Sequence, residues 1–570
     1  MKIKILLALA AFFFAGLYLS HFAVTSEAQK NLRKGVVSIV TPTPTVVKSI
    51  TGVEFAGIKW DKVANNSFPM PGGTTTFSSY GQPAVNVRGT VVFRARSTGT
   101  QRQTGIYIRE YPQGIVRSMA DLNAFVPYPN NLDTTFTEFP SIPRIAMNKD
   151  ITATRGTHKP VYKYLLPDQT ETRVGTTGIY SEMTPGNPIT AAAKVGAAPG
   201  FEYFAVPGRP NVVFDVFPGS PAINDDGTVV FKGNFTVNGI GKTGIFYRNI
   251  LDTPGGGMSQ VEEIASSDTA IPNGPPHKGF WPLRFGSTAP PSVVGNEVVF
   301  VGLDNEDDPR YGGIYIAPIQ SHPKLRLLIG IGKSVPGTSL PPLTRIGEAL
   351  AYDGRYLAFW GAWGTAAKTI RLYCAEDGNP DLLAYCNGID PVSMFDPQTG
   401  RWYQEKEVPV NQGIFLYDNL LGVGYLAAGT KGDFNDFVFW GYSGKAPGTG
   451  SGDDVDSEPP RWRAASFVGT SEGQVVFKAR TGMLDENNLY VNPIDGIYYS
   501  DPAVNTSLFA LAETGMAGEQ IDREIAGALM TVTGLGIERE GFRGKNLVIT
   551  ATMANAEESW AGIYISEISR

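Results

Sequence analysis

The chain has 570 residues, of which 66 are glycine, 41 proline and 18% charged, with a net charge of −6. Abundant Gly and Pro suit a turn-rich all-β protein, and the negative balance argues against a general nucleic-acid binder. So long a chain ordinarily implies several domains, an expectation that a repeat architecture overrides.

At the start, Lys2 and Lys4 precede an apolar run from Ile5 to Leu19, and Ser26-Glu27-Ala28 offers a small-x-small cleavage site. Residues 1–28 read as a signal peptide, leaving 29–570 as a single secreted or periplasmic domain. The alternative is an uncleaved membrane anchor, because the apolar run continues with interruptions to Val24. Gly35–Val40 is expected to be a strand, Val53–Ile58 the lead-in to the first repeat, and Ser67–Tyr80 a surface loop.

From there the chain repeats. Ile223-Asn-Asp-Asp-Gly-Thr-Val-Val-Phe-Lys-Gly233, followed by Gly244-Ile-Phe246, is the clearest copy. Val85–Phe93 leads in the same way to Gly105-Ile-Tyr107, and the degenerate Ile145–Ala153 to Gly178-Ile-Tyr180. Val294–Phe300 leads to Gly313-Ile-Tyr315, and Tyr352–Phe359 to Gly413-Ile-Phe415. Thr470–Phe477 leads to Gly496-Ile-Tyr498, and Gly544–Thr550 to Gly562-Ile-Tyr564. The Asn/Asp/Gly cluster supplies the positive-φ positions of a hairpin turn. Val-Val-Phe is suited to a buried strand, and the Gly of Gly-Ile-Tyr allows close backbone approach. Apolar runs before and after each pair supply two more strands, giving a unit of four strands, a to d. Seven four-stranded units predict a seven-bladed β-propeller. The last copy lacks a strand d, and an N-terminal strand, Val36–Val40, is expected to pair with Ile563–Ile568 and close the ring.

These units resemble a family of secreted, mainly bacterial tandem-repeat proteins built from Asn-x-x-Gly-x-Val-x-Phe and Gly-Ile-Tyr. The resemblance covers almost all of the chain after residue 35 and implies a propeller of unassigned activity. The second and seventh copies depart from its pattern.

Gly313 to Gly413 spans 100 residues and Gly413 to Gly496 spans 83, against 66 to 73 elsewhere. Two insertions, at about 372–411 and 442–460, account for the excess. One separates strands b and c of blade five, the other blade five from blade six. In an up-and-down meander, b–c and d–a connections emerge on one face, so both insertions are expected on the same rim. Long loops on a rigid scaffold commonly carry function. The first insertion holds the only cysteines, Cys374 and Cys386, which are expected to form one local disulfide in an exported chain.

On that rim the b–c loops of blades four to six are acidic. Asp304, Glu306, Asp307 and Asp308 form the densest run and are the candidate metal ligands, with Ca²⁺ the cation that oxygen clusters would suit; otherwise no cofactor is expected. Five of eight tryptophans fall in the same third of the chain. Trp360 and Trp440 read as core, whereas Trp363, Trp402 and Trp462 are candidate ligand-binding residues. Catalysis has little support, because no triad or zinc motif occurs. His158, with Lys159, Tyr162 and Lys163, is the one group that a polysaccharide lyase would use. The expected function is a binding or scaffold module for a glycan or extracellular protein at the blade five–six rim. A lyase-like carbohydrate-active enzyme and a structural matrix or surface protein are the alternatives.

Overall fold

The computed structural model describes residues 53–568, apart from 99–102, 128–133, 160–161, 166–170, 175, 197, 199, 252–258, 273, 278–280, 376–379, 431–439, 444–459, 465–466, 487–489 and 505–506. Seven five-stranded sheets dominate it, with three two-stranded hairpins beside them. In blade one, strand a comes in two pieces, Phe77–Tyr80 and Ala84–Val85, followed by b (Thr90–Ser97), c (Thr104–Glu110) and d (Arg117–Asp121). The remaining b–c pairs are Thr152–His158 with Thr177–Glu182, Thr228–Val237 with Ile240–Asn249, Glu297–Leu303 with Gly312–Pro318, Tyr356–Tyr373 with Arg401–Asp418, Gln474–Leu484 with Tyr490–Ser500, and Asn546–Ala554 with Ser559–Glu567. The a strands touch their neighbours in turn, from Ala84–Val85 round to Phe542–Arg543 and back. The fold is a closed seven-bladed β-propeller.

The repeat fixes the register inside each blade. The aromatic residue of Gly-Ile-Tyr stands opposite Phe93, Thr154, Phe231, Phe300, Phe359, Phe477 or Ile549 on strand b. Its glycine stands opposite another glycine or an alanine in every blade, as Gly244 does to Gly233 and Gly105 to Ala95. The cause is space. A Cβ on Gly244 would lie 2.8 Å from the Phe246 ring and 2.9 Å from the Ala265 carbonyl oxygen. The aromatic ring folds back over the glycine two residues before it. Strand d answers with a bulge at the Ile–Tyr step, placing one extra residue such as Ile264 or Leu511 in the core.

Alternation along strand b sends Val229 and Phe231 toward blade two and Val230 toward blade four. The apolar residues consequently gather in seven clusters, one at each interface between adjacent blades. Among the described residues the ring is stabilised by seven wedges and not by a single central core.

The expected closing strand, Val36–Val40, lies outside the described residues. The strand d of blade seven is β2 (Asp61–Asn65), about twenty residues further on, paired antiparallel with Ser559–Glu567. It carries the same bulge as the six intrinsic d strands, with Val63 as the extra buried residue. Asp522 secures it, accepting hydrogen bonds from Asn65 (2.7 Å), Trp560 (2.9 Å) and Tyr564 (2.9 Å). Just upstream, β1 (Glu54–Phe55) adds a parallel fifth strand to the outer edge of blade six. One N-terminal stretch therefore covers the edges of the last two blades. Phe77–Tyr80, expected as part of a surface loop, is the first piece of strand a in blade one.

Strand a is split in five blades, and proline is the reason in four of them. Pro83, Pro140, Pro218 and Pro290 fall in the gaps, where no backbone N–H remains to donate to strand b. In blade seven the gap carries Glu538-Arg539-Glu540 instead. Arg539 donates to the carbonyls of Pro290 and Pro291 in blade four, 3.0 Å each. Glu538 meets Arg144 of blade two at 2.9 Å, and Arg543 reaches the Tyr352 carbonyl of blade five at 2.7 Å. Blade seven touches non-adjacent blades only by crossing the axis. All of these side chains are buried, so the tripeptide plugs the central channel.

Candidate ligand cavity on the insertion face

The blade-five insertion is largely strand. Strands b and c each extend to 18 residues and project as a hairpin arm. Beyond Tyr373 the chain forms a short helix, Pro380–Ala384, and a turn, and the sulfurs of Cys374 and Cys386 are bonded as expected. Gly388 has φ of +113° and lies beneath Trp402, where a Cβ would come within 2.8 Å of the indole. The second insertion is also a hairpin at its base, Trp440–Ser443 paired with Arg461–Ala464. Its acidic stretch, with Asp453, Asp454, Asp456 and Glu458, lies outside the described residues.

The two insertions pack against each other, as the meander argument required. Tyr442 donates to Asp390 at 3.0 Å, and Gln404 donates to the same carboxylate oxygen at 3.0 Å. Burial and this Asp390 contact push the Tyr442 phenol well above its usual range. Trp462 packs on a small apolar cluster of Ile370, Leu372 and Val408 in the arm.

Where this hairpin meets blade four lies a cavity of about 250 Å³. Its walls come from four places: Lys232 on strand b of blade three, Glu306 and Asp307 on the blade-four b–c loop, Arg345 and Trp360 in blade five, and Arg461 with Trp462 on the second hairpin. The volume is at the small end for ligand sites, room for roughly one sugar ring or a side chain. Arg461 faces both acids, with Nη1 2.7 Å from Asp307 and Nη2 against Glu306, which also accepts from Ser287 at 3.2 Å. Lys406, on strand c of the arm, also lines the wall. Burial first, then Arg345 and Arg461, hold its ammonium below the usual lysine range, with Asp307 opposing.

The candidate residues from the sequence divide accordingly. Of the three tryptophans, Trp462 alone lines the cavity. Trp363 is 6% exposed and packs edge-on against Phe415 between blades four and five. It is a core residue, because strand b of blade five runs on past the expected loop edge. Trp402 is part of the arm, against Phe395 and Gly388. In the acidic run, Asp304 Oδ1 accepts the backbone N–H groups of Arg310 and Tyr311, both at 3.0 Å, and so closes the loop. Glu306 and Asp307 turn to Arg461, while Asp308 stands exposed beside Arg310. Among the described residues, no group of three or more His, Cys, Asp or Glu is placed to hold a metal ion. The expected negative sector is in fact interleaved with Lys232, Arg345, Lys406 and Arg461. His158, expected in a rim loop, is the buried end of strand b in blade two, 2.7 Å from the Tyr180 hydroxyl.

Trp360 is buried, as expected of a core residue, but its place on the cavity wall was not foreseen, and Lys232 was not singled out from the sequence; a signal for both existed. Each directly follows the aromatic residue of strand b and stands opposite the Ile of Gly-Ile-Tyr or Gly-Ile-Phe. A second cavity, of about 380 Å³, opens on the opposite face among the a–b turns. There Asp353 accepts the Glu472 N–H at 2.7 Å and Arg355 pairs with Asp418 at 2.6 Å, so these groups serve to join strands and blades.

Residues 56–249 match the model of a family of unknown function, DUF7453. No curated protein matches the chain. Among solved structures, the chain is similar to the β-propeller domain of the trilobed protease from Pyrococcus furiosus, with 10% identity and a TM-score of 0.38 over 87% of this chain and 99% of that one. It is similar to the acylaminoacyl peptidase of Pyrococcus horikoshii, with 10% identity and a TM-score of 0.34 over 89% of this chain, and it spans about half, 53%, of that enzyme. It is also similar to the polysaccharide lyase Uly1, with 9% identity and a TM-score of 0.29 over 53% of this chain and 58% of that one. Among the described residues, no helix is long and apolar enough to cross a membrane.

Proposed function

We propose that the protein is an extracellular binding module that recognises a glycan in the cavity between blade four and the second hairpin. The observation that carries this reading is the placement of Trp462. It stands beside charged and hydroxyl groups at the junction of two insertions that the ring itself does not need. An aromatic face next to hydrogen-bonding side chains suits a sugar ring, which offers one apolar face and a rim of hydroxyls. The Cys374–Cys386 bond supports an oxidising compartment.

A glycan array followed by calorimetry tests the proposal. Trp462→Ala should weaken binding of any glycan found by about five- to a hundredfold, the loss of a contact worth roughly 1–3 kcal/mol. Trp402→Ala, in the arm, should leave affinity within about twofold. Binding that survives Trp462→Ala unchanged would move the site elsewhere. An array with no binder, alongside capture of a purified extracellular protein at this face, would replace the glycan with a protein partner.

A further inference from the structure

Tyr442 and Trp462 stand opposite each other in the second hairpin, with ring centroids 5.3 Å apart. Trp462 lines the cavity, so whatever holds Tyr442 bears on the cavity wall. The hairpin base is tied on two sides. On one, Arg461 meets Glu306 and Asp307 of blade four. On the other, the Tyr442 hydroxyl donates to Asp390 of the blade-five arm at 3.0 Å.

Asp390 is itself built into place. It is 8% exposed, and a carboxylate buried to that degree is costly unless its oxygens are hydrogen-bonded. Oδ2 accepts from Tyr442 and from Gln404, and Oδ1 accepts the Val392 N–H at 3.2 Å. The Asp390 N–H donates to the Tyr385 carbonyl at 2.8 Å, one residue before Cys386. The Cys374–Cys386 bond ties that turn to the residue that follows strand b of the arm. Gln404, on strand c, reaches across to Asp390 and also to Ser393 Oγ at 2.9 Å. An unbroken series of covalent and hydrogen bonds therefore leads from the disulfide through Asp390 and Tyr442 to the strand that carries Trp462. Among its members, Trp462 alone lines the cavity.

We infer that Asp390 and Tyr442 are positioning residues for the cavity, anchored by the Cys374–Cys386 bond, and that they set where Trp462 stands when a sugar enters. This rests on the glycan reading above and adds what orients its aromatic wall. The bond from Tyr442 ends on a carboxylate, which makes it stronger than a bond between neutral groups. A wall fixed in advance spares the sugar the cost of ordering it, and a disulfide is a common means of fixing a loop in this way. The ring does not need the series, since the arm and the hairpin lie outside the seven wedges.

The test has one readout without ligand and one with. In protein labelled with fluorotryptophan, the fluorine resonance of Trp462 is assigned by its loss in Trp462→Phe. Tyr442→Phe, Asp390→Ala and the double variant Cys374→Ser with Cys386→Ser should each shift or broaden that resonance. The resonances of Trp60 and Trp560, in the ring, should stay in place. On the glycan array, each variant should bind about three- to tenfold more weakly than wild type, equivalent to immobilising one or two side chains. Tyr442→Phe combined with Asp390→Ala should bind no more weakly than Asp390→Ala alone, because the two remove the same bond. A Trp462 resonance unchanged in all three variants would overturn the inference whatever the array shows. A shifted resonance with array binding as tight as wild type would overturn it too, and leave the glycan reading intact. So would a lower melting temperature with unchanged binding, which would make the series structural. A shifted resonance on an array without any binder would keep the positioning of Trp462 and discard the glycan.

Discussion

Glycine in Gly-Ile-Tyr is demanded by contact, and the demand comes from the chain's own next-but-one residue. Gly244 has ordinary backbone angles, yet any Cβ on it would collide with Phe246 and with the Ala265 carbonyl. Gly244→Ala should therefore cost about 1–3 kcal/mol, the usual penalty for overpacking a tight core, seen as a lowered denaturant midpoint. Gly241→Ala, three residues away on the same strand with open space at its Cβ, is the matched control and should change little. The same contact explains why the motif was legible in the sequence: a steric requirement repeated in seven blades leaves seven copies. Lys232 was hidden inside that motif. Its positive charge is shared with Arg94 and Lys478, and only its place on the cavity wall, which no sequence pattern records, sets it apart.

Elements that repeat could be placed from their pattern, and elements that occur once could not. Strands b and c were readable from Val-Val-Phe and Gly-Ile-Tyr, but β2, Asp-Lys-Val-Ala-Asn, has no copy and lacks a long apolar run. Its membership in blade seven is decided by the bulge at Val63 and the Asp522 bonds, both tertiary. The blade-five arm was misread as a loop because Gln404 to Glu407 looks polar; the strands there are exposed on one side and pair with each other. The arm has its own small apolar cluster, separate from the seven inter-blade wedges. Replacing residues 374–400 by a tight turn should accordingly leave the melting temperature of the ring within a few degrees. The Cys374–Cys386 bond encloses a short segment, so reducing it should release at most about 3 kcal/mol. That loss should appear as faster hydrogen exchange in residues 380–396, with the inter-blade strands unchanged.

At the scale of the whole ring, the channel plug makes blade seven answerable to blades two, four and five as well as to its neighbours. Burial would raise the Glu538 carboxyl, but Arg144 and Arg539 together outweigh it and hold the group down, from 4.5 to about 2. Asp495 between Lys478 and Arg480 is likewise brought down to about 2 against the effect of its burial. A carboxylate depressed in the folded state contributes stability above its unfolded value and loses that contribution as pH falls through the folded one. Stability should hold from neutrality to about pH 4.5 and then fall steeply toward pH 2, measured by denaturant titration at stepped pH. Glu538→Gln should flatten that slope. The plug was invisible in the sequence because Glu-Arg-Glu reads as a solvated surface triplet; the ring geometry alone puts it on the axis. The closing strand has a different consequence, in the order of synthesis. β2 leaves the ribosome about 500 residues before its partner Ser559–Glu567. Holding ends roughly 500 residues apart costs on the order of 5 kcal/mol in chain entropy, so the pairing must wait for the intervening wedges to bring the ends together. Six blade interfaces can form as their blades emerge, while the outer edge of the last strand stands open and accepts any matching strand. The first strand of a second copy matches as well as its own. Chain concentration during folding therefore decides between a closed monomer and an exchanged dimer.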